Sequence, residues 1–460
     1  MIIVYQFTKK YYMRHIFTFV FIYIITTVSY GQNSFKIVDH QNNVSIPFNF
    51  VNNLIILKTT VNNQELNLVF DTGVKQTVLI NMQNNDSLDY KNHSKIVFSG
   101  MGNENKKVVS LKSTNNHISL NDKIVNNNAT FYIISNFEFE FSENIGITIN
   151  GFIGGELINN HQVKIDYKNK LMTFYPSNSL TGKELSKYRS YPLNIFKGKP
   201  YITTNIVFEK KQKPQKIQLL IDTGNSDALW IFNTDKIHIP KNKKSINDYM
   251  GLGLSGSIEG KRIKSHLFSF DKKFKFKGIY TALPDSIYFS GFIRNDVDGM
   301  IGNEVLNRFF IIFDYPNKKV YLKKYRRNYR KGFYYNDSGI YLAYNGKIPV
   351  KYKSLKTSYR IINQNSSTNS ALIVSSSAYT YKYKLADRIV INYVRKDSPG
   401  AKAGLLKGDI LLKINGNSVY QYKLEELDKK FFYKKSKRID FLVERDGLKL
   451  EISVFNKELF

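Results

Sequence analysis

The 460-residue chain contains no cysteine. Disulfides, a thiol nucleophile and an N-terminal lipid-modified cysteine are therefore excluded. Its seven histidines are scattered, with no close pair at ligand spacing, so neither a metal site nor any cofactor is expected. Helical periodicity is nearly absent. Short alternating apolar segments, such as 106–111, 129–134 and 199–208, read as strands separated by Gly, Asn and Asp clusters. Acidic residues are also few: 37 Asp and Glu face 68 Lys and Arg, a formal net charge of +31.

What is present is enough for real cores, with 42% hydrophobic and 14% aromatic residues, and the length has room for about three domains. The excess positive charge is unaccompanied by any nucleic-acid motif, so no nucleic-acid partner is expected. Its densest run, eight Lys or Arg over 318–331, reads as a solvated linker. Contact with a membrane surface or an anionic glycan stays open.

The N-terminus reads as a leader. Lys9, Lys10, Arg14 and His15 precede an uncharged apolar stretch over 16–28, followed by Ser29-Tyr30-Gly31. That is the pattern of a secretory signal peptide cut after Gly31, with Met13 as an alternative start. No other stretch is long and apolar enough for a transmembrane helix. The mature chain is therefore expected to be exported, periplasmic or secreted, and soluble.

One tripeptide organises the rest. Asp71-Thr72-Gly73 ends the apolar run 66–70, and Asp222-Thr223-Gly224 ends the run 217–221. Gly100 follows Asp71 by 29 residues, and Gly251 follows Asp222 by the same interval. Gly151-Phe152-Ile153-Gly154 then answers Gly299-Met300-Ile301-Gly302, and each copy closes on an apolar strand and turn, 163–170 and 311–318. A single Asp-Thr-Gly could be an ordinary turn. Four landmarks in one order indicate an internal duplication, and two copies of this size read as two lobes rather than a solenoid.

Over residues 45–325 the arrangement resembles the aspartic proteases, in particular the retropepsin-like group fused into one chain. The resemblance implies a mainly β, two-lobed acid-protease fold with an N-terminal lobe over 32–178 and a C-terminal lobe over 190–325. It implies Asp71 and Asp222 as catalytic residues, with Thr72 and Thr223 cross-linking the two loops. It also implies that Gly73, Gly224, Gly154 and Gly302 support those loops. Gly100, Gly102 and the run 251–256 fall where flaps are expected.

The sequence departs from the pepsin-like pattern after each tripeptide, where Val74 and Asn225 replace a hydroxyl residue. Val74 cannot donate to a carboxylate, whereas the Asn225 side-chain amide is expected to compensate in part. A strongly acidic optimum is not expected.

Beyond residue 332 the character changes. The segments 394–405 and 407–416, with Ser398-Pro399-Gly400, Gly404 and Asn415-Gly416, resemble a bacterial PDZ domain, placed over 333–460. Pro399 suits the first turn of a helix and Asn415-Gly416 a tight turn. A helix over 424–432 and a hairpin over 438–454 complete it. Gly339, Ile340, Tyr341 and Leu342 fit the loop whose amides would receive a peptide carboxylate, although about forty residues intervene before 389–391. The reading is an exported, monomeric aspartic endopeptidase acting on peptides or proteins, with the PDZ domain binding a C-terminus. The alternatives are a catalytically silent PDZ-bearing scaffold or a basic surface-binding protein.

Overall fold

The computed structural model describes residues 34–38, 43–80, 91–98, 108–134, 141–232, 236–253, 256–289, 296–365, 370–432, 438–457 and 459–460. The expected leader, Gly100 and Gly102 lie outside the described residues. The chain is mainly β, as its composition and alternation suggest. Its short helices include the turn at Gly155–Leu157 and the helix Asn303–Leu306, directly after Gly154 and Gly302.

Each lobe is built on one sheet with the same threading. In the N-terminal lobe, Gly151–Ile153 runs parallel to Gln64–Phe70 and antiparallel to Thr77–Ile80. In the C-terminal lobe, Gly299–Ile301 runs parallel to Gln215–Ile221 and antiparallel to Leu229–Ile231. The inserted strand fills the gap beside each Asp-Thr-Gly loop and takes up its backbone groups: Asp71 N–H donates to Ile153 O (3.0 Å) and Asp222 N–H to Ile301 O (2.9 Å). A third, six-stranded sheet is shared. His161–Asp166 pairs antiparallel with Phe309–Asp314 at its centre, so strands from both copies form one floor.

These three sheets enclose a continuous apolar core running from Phe35 through Phe70, Ile165 and Ile221 to Leu322. Burying such side chains is worth about 1.5–3 kcal/mol each, which fixes the inward face of every strand. Two smaller clusters face each other above the floor. One contains Leu54, Val69, Val78 and Phe152, and the other Leu220, Trp230, Phe232 and Met300.

The C-terminal domain has its own core of Ile340, Leu342, Ile391, Leu411, Phe441 and Val454. Helix Pro399–Lys402 starts with Pro399 and is capped by Ser398 Oγ, which accepts from Ala401 N–H (3.2 Å). Asn415 (φ 48°) and Gly416 (φ 77°) adopt the left-handed pair that turns Ile410–Ile414 into Asn417–Ser418. The forty residues that interrupt the sequence pattern are not an irregular loop. They extend strands Ile340–Asn365 and Ser370–Val394 into a long antiparallel ribbon.

Candidate active site

The two Asp-Thr-Gly loops meet between the lobes. Asp71 Oδ1 accepts from Gly73 N–H (2.7 Å) and Asp222 Oδ1 from Gly224 N–H (2.9 Å). The two carboxyl groups hydrogen-bond to each other. A methyl group on Gly73 would lie 3.0 Å from Asp222 Oδ1, and one on Gly224 would overlap the Asp71 carboxyl. Glycine at both positions is what allows the facing loops to approach this closely.

Beneath them the threonines are reciprocal. Thr72 Oγ1 donates to Ile221 O (2.6 Å) and accepts from Thr223 N–H (3.1 Å). Thr223 Oγ1 donates to Phe70 O (2.8 Å) and accepts from Thr72 N–H (3.0 Å). Both side chains are fully buried. Gly154 packs against the backbone of Lys75 and Gln76, where a methyl would sit 2.7 Å from Gln76 N, and Gly302 likewise abuts the backbone of Asn225 and Asp227. All eight loop residues expected from the sequence are thus gathered at one point.

Burial raises the pKa of Asp71. Burial raises that of Asp222 well above the ordinary carboxylate value, and the charge of Asp71 and the hydrogen bond between them add to this. Lys199, on the cleft wall, opposes the rise in both. The pair is therefore disposed to hold one shared proton.

Val74 contributes no donor, as its side chain requires. The expected compensation from Asn225 is absent. Its amide points to Met300 Sδ (3.9 Å) and its Oδ1 accepts from Asp227 N–H (2.9 Å), because the turn after Gly224 uses Asn225 to close itself. Neither lobe supplies the dyad with a side-chain donor from this position.

The dyad opens into a cleft of about 1200 Å³. One rim is the hairpin of Ser245–Gly253 and Gly256–Ser269, which includes Gly251 and Gly253 at its tip. Gly251 (φ 126°) follows a register shift after Tyr249. Gly256 opens the return strand, while 254 and 255 lie outside the described residues.

That rim is tied down by charges the sequence did not single out. Arg262 is buried and donates to Asp248 (2.7 Å) and Asp227 (3.1 Å), and Asp227 also accepts from Trp230 Nε1 (2.8 Å). Asp248, fully buried, faces Arg395 at 3.7 Å and accepts from Tyr341 OH at 3.2 Å. Arg395 and Tyr341 belong to the C-terminal domain. The carboxylates compensate the cost of burying Arg262 and hold its guanidinium charged. No spacing in the sequence marks these residues, because their partners come from three separate regions.

Gly339, Ile340, Tyr341 and Leu342 lie at the start of the ribbon strand Ile340–Asn365. Gly339 N–H donates to Asn336 Oδ1 (3.0 Å) and Ile340 N–H to Ser338 Oγ (3.3 Å), so two of the amides expected to receive a carboxylate already have partners. Ile340 and Leu342 are buried in the domain core, whereas Tyr341 reaches the cleft. Helix Phe141–Ile145 of the N-terminal lobe packs beside the same strand, with Asn392 donating to Asn144 Oδ1 (2.9 Å).

Residues 390–430, from the inner end of the ribbon to helix Leu424–Phe432, match the family model of the PDZ domain. No curated protein matches the chain. Among solved structures, the aspartic proteinase from Irpex lacteus is similar at 11% identity and a TM-score of 0.37, over 61% of this chain and 97% of that one.

Proposed function

We propose that this chain is an exported aspartic endopeptidase, with lobes over 32–178 and 190–325 and a PDZ domain over 333–460. The observation that carries the reading is the reciprocal threonine lattice holding two hydrogen-bonded carboxyls at the floor of a cleft lined by both apolar and polar side chains. A site of that construction activates one water. The ionised carboxylate accepts the water's proton as its oxygen attacks the scissile carbonyl, while the protonated partner donates to the carbonyl oxygen. Collapse of the tetrahedral intermediate returns a proton to the leaving amine.

The apolar walls suit extended polypeptide, and Tyr341, Tyr393 and Lys407 of the C-terminal domain line the same cleft. The PDZ domain accordingly engages the substrate, or the C-terminus of a partner, next to the dyad rather than at a distance. The test is digestion of a denatured protein mixture by the chain from residue 32, with and without pepstatin. Pepstatin-sensitive cleavage supports the reading. A folded chain that cleaves nothing over a range of pH values overturns it in favour of a peptide-binding scaffold.

A further inference from the structure

The ribbon that leaves the C-terminal domain is a large surface that the proposed chemistry does not use. Only its inner end belongs to the sheet, where Val390 pairs with Ile410. Farther out, strands Ile340–Asn365 and Ser370–Val394 pair with each other alone among the described residues. A two-stranded ribbon with both faces in water has little to stabilise it, so its side chains are informative.

The register separates them cleanly. Leu385, Tyr383, Tyr381 and Tyr379 share one face with their partners Pro349, Lys351, Lys353 and Leu355. On this face Leu355 is 58% exposed, Tyr379 70%, Tyr381 57%, Tyr383 69% and Leu385 73%. Lys351 lies over the Tyr381 ring (4.1 Å) and Lys353 over the Tyr379 ring (5.6 Å), so the cations sit within the aromatic strip. The opposite face carries Tyr352, Lys356, Lys382 and Lys384. From 347 to 386 the sequence has six Lys, one Arg and no Asp or Glu.

We propose that this ribbon docks the protein onto an anionic lipid bilayer. Tyrosine places an apolar ring and a hydroxyl at the level where hydrocarbon meets headgroup, and lysine keeps its ammonium in the phosphate layer while its stem covers apolar surface. Lys347 is paired with Asp387 at the base of the ribbon, and the positive charge that remains farther out complements an anionic leaflet. Leu355 and Leu385 distinguish this from a strip for stacking nucleic-acid bases, because aliphatic side chains offer bases no ring face. Among the described residues no helix is long and apolar enough to cross a membrane.

The test is sedimentation of the chain from residue 32 with phosphatidylcholine vesicles, alone or mixed with phosphatidylglycerol. Binding is expected only to the mixed vesicles and should weaken as salt is raised. Tyr379→Ser/Tyr381→Ser/Tyr383→Ser should lower the partition coefficient about tenfold or more through lost apolar contact. Lys351→Gln and Lys353→Gln, on the tyrosine face, should each lower it about fivefold. Unchanged peptidase activity in the same variants would show that they fold. No sedimentation with mixed vesicles overturns the proposal, as does binding indifferent to the tyrosines. Equal capture by a soluble polyanion, again without tyrosine dependence, would mark a plain polyanion strip. Light scattering in which the tyrosine variants turn a vesicle-indifferent dimer into a monomer would mark an interface between copies, and would likewise overturn it.

Discussion

The two lobes carry the same loop in different company. Around Asp71 the support is local and built from hydrogen bonds to uncharged partners. Glu156, one turn beyond Gly154, accepts from Thr77 N–H (2.8 Å) and Thr77 Oγ1 (2.6 Å), and Gln76 accepts from Tyr132 OH (3.0 Å). Around Asp222 the matching positions are ionic. Asp227 is held by Arg262, Glu304 lies 3.9 Å from Arg308, and the chain of charges continues through Asp248 into the C-terminal domain. The groups in contact with the dyad stayed symmetric, while the layer behind them diverged. That layer is where one copy is tied by buried charge to the C-terminal domain, which the other copy meets through Asn144 and Asn392.

The sharpest test of the symmetry is at the dyad itself. Asp71→Asn and Asp222→Asn should each reduce kcat by roughly 10²–10⁴-fold, because the proposed mechanism uses one carboxylate as base and the other as acid. Near-normal peptide turnover in either variant would break the equivalence. The asymmetry is tested next by Arg262→Met, which takes from buried Asp248 its nearest cation and from Asp227 its ion pair. A loss of about 3–5 kcal/mol in urea unfolding is expected. Thr72→Val and Thr223→Val should then cost similar amounts, about 2–4 kcal/mol, since each removes one donated and one accepted bond and leaves buried backbone groups unpaired. A large difference between the two would show that the lattice is not reciprocal in energy.

Glu156 offers a pH measurement. Burial pushes its pKa up to about 7, against an ordinary value of 4.5. The neutral form is the one the fold favours. Its stability is therefore fully present below about pH 4.5 and is lost as pH rises through about 7. At about 1.4 kcal/mol per unit the loss is at most about 3.5 kcal/mol. Glu156→Gln should flatten thermal stability over that window. Glu304, also raised to about 7 by burial, faces Arg308, so Glu304→Gln should gain less at high pH. The smallest effect concerns Val74. With no side-chain donor from Val74 or Asn225, the best activity is expected in weakly acidic to near-neutral solution. Val74→Ser should move the acidic limb of the rate profile downward by a fraction of a pH unit. An unmoved limb would show that this position does not tune the dyad.

What the sequence made legible follows from distance along the chain. The tripeptides, the apolar-apolar-Gly segments and the tight turns are short motifs whose chemistry is contained in a few neighbouring residues. Their repetition multiplied a weak signal. The ionic layer was not legible. Arg262 and Asp227 are 35 residues apart, Asp248 and Arg395 far more, and each looks like any surface charge until the fold buries it. Asn225 misled for a related reason: its side chain had two possible uses, and the local turn took it. In the ribbon, the alternation Tyr379-Thr380-Tyr381-Lys382-Tyr383 is plain strand periodicity. Without an apolar face to bury, however, it gave no sign of how far the two strands would run together.

The shared sheet also bears on when the protein becomes complete. The strand His161–Asp166 waits for Phe309–Asp314, about 150 residues later in the chain, and Thr72 has no partner until residues 221–223 have been made. Pairings so distant form late and slowly. A nascent chain that has already emitted both aspartates still lacks the floor that aligns them. Folding order alone therefore keeps the carboxyls apart until synthesis has passed residue 314.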